Sequence, residues 1–258
     1  MKLEDKNKGI NNLLYYLSKA DDIDIFEARN AYKNYHIMLN NIAIKYGFSF
    51  NKTVAAFCAL SPNNDYFGNL RSLVSILHGI NKRISHNQII VSTYNHCKYR
   101  AINYLIGNDF FDSPKRGLKI INFYKNILYP ESEKWVTIDG HIAAAYQGNS
   151  NLNMKDVFLT KANYIQIAES LKLLSSWSQN LSLPNQLQAA IWFARKRIYK
   201  IKYNPNYDMF YSNADRWRII IPVDEIRPYD QKTLEKFNMA TQKTQKIQMQ
   251  MQQTLLSN

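Results

Sequence analysis

Apolar residues recur at three- and four-residue spacing through most of the first two hundred positions. A chain patterned this way buries its apolar stripes by packing helix on helix. The longest example is 24–46, where Ile25, Phe26, Ala28, Ala31, Tyr32, Tyr35, Met38, Leu39 and Ile42 share one broad face. The same spacing predicts helices over 10–18, 52–60, 65–79, 94–107, 117–128, 139–147, 160–176 and 184–202. Ser61-Pro62-Asn63-Asn64-Asp65 stops one helix and caps the next, and Pro130 breaks another. Pro184 opens the last one at a permitted first-turn position. Glycine occurs only 8 times and alternating strand patterns are few. The expected class is all-α. A helical domain fills 1–203, and 204–258 is a C-terminal extension. Its first part is Tyr- and Pro-rich with one β-like run, Trp217 to Val223; a Gln-rich helix or tail follows from 230.

Composition narrows the function classes. At 258 residues and 46% hydrophobic content the chain can bury a full core, and no apolar run reaches the length that crosses a membrane. The charged start Met-Lys-Leu-Glu-Asp-Lys-Asn-Lys has no apolar stretch of the secretory type. Cys58 and Cys97 lie in helical apolar patterns and fit neither a disulfide framework nor a four-ligand metal site. The histidines share no ligand spacing, so no metal and no cofactor is expected. The expected setting is a reducing cytoplasm, the host's if the chain is phage-encoded, and the expected state a monomer. The net charge of +13 favours a polyanionic partner through release of condensed counterions. Solubility and a Lys/Asn-rich codon bias would give the same excess. The 18 tyrosines and 4 tryptophans could supply stacking faces for bases, although Trp177 and Trp192 read as core.

The run Val136-Thr137-Ile138-Asp139-Gly140-His141-Ile142 sets a carboxylate inside apolar sequence. Removing a carboxylate from water costs free energy unless something compensates it. Two readings stand: Asp139 caps the helix that follows, or it is held in place for chemistry.

Five segments, read in order, resemble the helix-hairpin-helix DNA glycosylase superfamily, of which the endonuclease III-like enzymes are a branch. Phe57 to Asp65, with Asn69 beyond, is similar to that family's apolar helix ending in Leu-Ser-x-Gln-x-x-Asp. Tyr94-Asn95-His96-Cys97-Lys98-Tyr99-Arg100-Ala101-Ile102 resembles its Tyr-Asn-x-x-Lys-Ala-x-x-Ile helix. Arg116-Gly117-Leu118-Lys119 resembles the Gly-x-Lys end of its hairpin, and Val136 to Ile142 its Val-Asp-Thr-His-Val block. Leu187 to Arg195 resembles its closing amphipathic helix. The phrases Ala-Leu-Ser-Pro-Asn-Asn, Phe-Tyr-Lys-Asn-Ile and Val-Thr-Ile-Asp-Gly-His are also similar to a group of small bacteriophage proteins. The hairpin keeps one glycine, the Lys119-to-Asp139 spacing is slightly long, and the cysteine loop that binds an iron–sulfur cluster is absent.

The resemblance implies a two-lobed helical fold and an enzyme that flips a base out of duplex DNA and cleaves its N-glycosidic bond. Asp139 would be the carboxylate that stabilises positive charge building on the sugar. Gly117 and Leu118 would lie in a phosphate-gripping hairpin, with Lys115 and Arg116 beside it and Asn63 or Asn64 filling the gap left by the base. Asn69, Lys98 and His141 complete the set of DNA contacts. Lys119 is open between a Schiff-base nucleophile and a phosphate-binding lysine. Arg195, Lys196, Arg197, Lys200 and Lys202 are open between a phosphate track and a solvated face. Thymine hypermodification on the same fold and a catalytically silent DNA-binding protein are the alternatives. Asp139 opening into a basic cleft beside the 115–119 turn would favour an enzyme; a carboxylate spent on capping alone would favour a binder.

Overall fold

The computed structural model describes residues 3–62, 64–107, 117–149, 157, 159–199 and 221–230. Among them nine α-helices follow one another: α1 (Leu3–Ser18), α2 (Asp22–Tyr46), α3 (Phe50–Leu60), α4 (Tyr66–Asn81), α5 (Asn95–Ile106), α6 (Leu118–Leu128), α7 (Gly140–Gln147), α8 (Lys161–Trp177) and α9 (Pro184–Ile198). No strand occurs among the described residues, and no helix there is long and apolar enough to cross a membrane. Asn63, Lys115, Arg116, Lys200 and Lys202 lie outside the described residues, as do 217–220 of the β-like run and the Gln-rich tail from 231.

Local chemistry sets the ends. Asp21 and Asp24 form a reciprocal capping box at the start of α2, and Gly47 closes that helix in the left-handed conformation at φ 73°. The Asp65 carboxylate accepts the Gly68 amide at 2.7 Å to start α4, and Thr160 caps α8 in the same way. A Cβ at Gly68, in the first turn of α4, would stand 2.4 Å from the Asn64 side-chain oxygen and 2.8 Å from the Ser92 hydroxyl, so those side chains would have to move aside.

Two hydrophobic clusters fill the interior. One gathers Met38, Leu39 and Ile42 of α2 with the apolar faces of α3, α4 and α5 and with Tyr124 and Ile127 of α6. Ile226, from the 221–230 segment, packs into it, and the Tyr229 amide donates to the Ser75 hydroxyl at 2.7 Å. The other cluster joins Leu13 and Tyr16 of α1, Ala28 and Ala31 of α2, Val136, Ile138, α7, α8 and α9. Tyr35 and Tyr66 pack against both, with their rings edge to face at 5.2 Å.

Several side chains depart from the sequence reading. Phe26 is 62% exposed on α2, so the buried face is narrower than the pattern suggests. Trp177 ends α8 and is 66% exposed, not core. Lys98 points inward: it is buried, and its Nζ donates to the Ile89 carbonyl at 3.0 Å. Burial lowers its pKa below the ordinary lysine value. Arg195 is buried completely; its Nε donates to the His141 carbonyl at 3.1 Å and its guanidinium to Asn149 at 3.0 Å, with Tyr199 stacked beneath. Arg197 binds Asp24 at 2.9 Å, Asp21 at 3.4 Å and the Lys19 carbonyl, tying α9 to the α1–α2 corner. Lys98 and Arg195 therefore serve the interior, and Arg197, half-buried, is paired with Asp21 and Asp24.

Candidate active site

The segment before α7 has no helix of its own, so its polar backbone must find partners elsewhere. Tyr164 of α8 supplies them. Its buried hydroxyl accepts the Ile138 amide at 3.1 Å and the Asn122 amide at 2.8 Å, and donates to the Val136 carbonyl at 3.0 Å. Burial pushes this phenol up to about 12. Asn126 of α6 holds the other side of the segment: oriented with Nδ2 toward the Trp135 carbonyl at 2.8 Å, its Oδ1 accepts the Thr137 hydroxyl at 2.9 Å and the Thr137 amide at 3.1 Å. Residues 135–138 are thus pinned between α6 and α8, and Asp139 emerges at a fixed position.

Asp139 faces both a helix and a cavity. It caps α7, with Oδ1 accepting the Ile142 amide at 2.9 Å. It also lines a cavity of about 170 Å³ between the two clusters, and Lys119 lines the same cavity. The walls are aromatic: Tyr32, Tyr35, Tyr66, Phe57, Phe123, Trp192 and Phe193. Tyr35, Phe57 and Phe123 lie within 5.9 Å of one another, centroid to centroid. The Tyr32 hydroxyl donates to Gln188 at 2.7 Å, and desolvation pushes the Tyr32 and Tyr35 phenols well above the ordinary range.

Desolvation is the largest single influence on Asp139 and pushes its pKa up, yet the net direction is downward from 3.8. His141, Lys119, the Ile142 amide and the Trp192 indole N–H together outweigh burial. His141 contributes charge only as imidazolium, and its own burial lowers its pKa below 6.5. A carboxylate kept ionised against desolvation, in a cavity walled by rings, can stabilise a cationic centre or polarise a water molecule.

The structure brings Asp139, Lys119, Asn64 and Asn69 to one cavity. Asn64 is already engaged: its Nδ2 donates to the Leu60 carbonyl at 3.2 Å, and its oxygen accepts the Ser92 hydroxyl at 2.8 Å. Asn69 is buried beside it, with Oδ1 lacking a hydrogen-bond partner among the described residues. Gly117 is the exposed N-cap of α6, directly before Leu118 and Lys119. His141 stands edge-on to Trp192, with centroids 6.2 Å apart. Lys98, Arg195 and Arg197 lie away from this cavity's lining.

Sequence reasoning gave two residues of this cavity other roles, Lys196 as one member of the basic run on α9. Trp192, read as core, donates its indole N–H to Asp139 Oδ2 at 2.9 Å. Lys196, one turn later, lies over the Trp192 ring at 4.0 Å, and burial lowers its pKa to about 8 against the opposing pull of Asp139 and Asp65. A tryptophan four residues before a lysine on a helix was the available signal.

Residues 3–199 match the family of unknown function DUF7178, and the chain belongs to that family. No curated protein and no solved structure matches it.

Proposed function

We propose that the chain is a DNA N-glycosylase that takes a flipped, modified or mismatched base into the cavity between α2, α6 and α9. The observation that carries this reading is Asp139 sharing an aromatic-walled cavity with Lys119. Cleaving the N-glycosidic bond places positive charge on the sugar, and a fixed carboxylate beside it lowers that barrier. Ring faces suit a planar base once it has left the stack. The first-turn amides of α6, following Gly117, offer an anchor for a backbone phosphate, and the net charge of +13 draws the duplex in. The resemblance to helix-hairpin-helix glycosylases supports the same assignment.

Incubation with duplexes carrying a panel of modified and mismatched bases, scored for abasic sites, tests the proposal. Release of a base by the wild type and its loss in Asp139→Asn is the expected result. Abasic sites formed equally by both proteins would overturn it. Borohydride divides the two roles of Lys119: an adduct that disappears in Lys119→Gln marks a nucleophile, and no adduct marks a phosphate-binding lysine.

The cap bond from Asp139 to Ile142 favours a second reading, a DNA-binding protein that keeps the carboxylate for the fold alone. Duplex binding without base release from any member of the panel would select it.

A further inference from the structure

The two oxygens of Asp139 are tied to different N–H groups. Oδ1 takes the Ile142 amide of the helix it caps; Oδ2 takes the Trp192 indole of α9, fifty-three positions along the chain, and both distances are 2.9 Å. The first bond starts a helix, and asparagine or serine would serve as well. The second contributes nothing to helix initiation. An indole N–H can only donate, so it matches a lone pair of an ionised carboxylate and offers nothing to the proton of a neutral acid. Trp192 is itself held from several sides. The Lys196 ammonium lies 4.0 Å above its ring, Phe193 meets it edge-on at 5.4 Å, and His141 does so at 6.2 Å. A cation over an indole face attracts the ring's π density and leaves the N–H a better donor.

We propose that Trp192 is the positioning residue of this site: its indole N–H fixes the rotation and the ionised state of Asp139 and leaves the carboxylate's remaining lone pairs for the cavity. What the held carboxylate then does rests on the glycosylase reading; the holding itself does not. A carboxylate capped through one oxygen can still swing its other oxygen. A second donor on a different helix removes that freedom, and small misplacements of a reacting group cost large factors in rate.

The test uses the full chain with carboxyl-labelled aspartate, the Asp139 signal being assigned by its loss in Asp139→Asn. Trp192→Phe keeps a ring and removes the donor. Replacement of Trp192 by its benzothienyl analogue keeps the bicyclic shape and exchanges only N–H for sulfur, which covers the case of a phenylalanine variant that folds poorly. In both, the Asp139 titration should move to higher pH, because a bond that favours the charged form is gone. On a substrate found for the wild type, single-turnover base release should fall about tenfold to a hundredfold while duplex affinity stays within about twofold. The acidic limb of the rate profile should follow the titration upward. An unmoved titration in both variants overturns the proposal, as does a moved titration with an unchanged rate. A moved titration in a protein whose wild type releases no base supports the positioning role and removes the glycosylase reading instead.

Discussion

Tyr164 holds Ile138 by its backbone: the phenol oxygen accepts the Ile138 amide at 3.1 Å from a position twenty-six residues away on α8. The same hydroxyl reaches α6 through Asn122 and the Val136 carbonyl beyond it, so one atom aligns three stretches of chain next to Asp139. Tyr164→Phe leaves a buried amide without its acceptor. We expect a loss of about 1–3 kcal/mol, read as a fall in Tm of roughly 2–4 °C per kcal/mol for a chain of this size. A loss below about 0.5 kcal/mol would show that the segment finds other partners.

Asp139→Asn separates chemistry from capping. Asparagine caps helices as well as aspartate does, so α7 should keep its start. The new amide nitrogen faces the Trp192 indole N–H, however, and we expect a loss of about 1–3 kcal/mol there. Duplex binding by the folded variant should hold or tighten as a negative charge leaves. Base release should fall by about a hundredfold, close to 3 kcal/mol of lost stabilisation. Asp139→Ala should also cost about 1 kcal/mol of stability through the lost cap. Full activity in the asparagine variant would sink the mechanism.

The same residue shapes acid stability. Its folded-state pKa is depressed below 3.8, so its ionised form stabilises the fold above that pH, and the contribution is lost as pH falls through the lower folded value. The stability difference between wild type and Asp139→Asn, measured by urea unfolding, should therefore be constant near neutrality and shrink on acidification below about pH 4. A difference that grew on acidification would reverse the assigned direction.

Arg195 should behave as a core residue. Arg195→Met removes two charge-assisted bonds to the carbonyls of His141 and Asn149. We expect about 3 kcal/mol of destabilisation. Binding of the folded variant to DNA should be unaltered, whereas a phosphate contact would show the opposite pattern.

On the proposed reading, duplex affinity should fall steeply with salt, because basic side chains that neutralise phosphates release counterions. Charge reversal at Lys115 and Arg116 should weaken all sequences alike and flatten that salt dependence. Selective loss on some sequences would mean that these two positions read bases.

Helix positions were legible because apolar spacing reports the buried side of a segment directly. The predicted 24–46 and 117–128 emerge as Asp22–Tyr46 and Leu118–Leu128. Asp139 was legible too, since a carboxylate in an apolar run demands compensation. What faces that carboxylate was not. Trp192 has the spacing of a core residue, and only the path of α9 past the start of α7 reveals an indole N–H aimed at an oxygen. The places of Arg195 and Arg197 were hidden for a related reason. Arg195 and Arg197 look alike in sequence, yet one is buried among carbonyls and the other paired with Asp24, because acceptors far along the chain decide where a guanidinium goes.

Tyr35 and Tyr66 belong to both hydrophobic clusters, and the cavity opens beside them with walls taken from each. Any occupant becomes a strut between the two halves of the molecule. Its binding energy resists separation of those halves, adding about 2.7 kcal/mol at a hundred times its Kd. Thermal stabilisation by small planar compounds can thus report what the seam accepts before any reaction has been found.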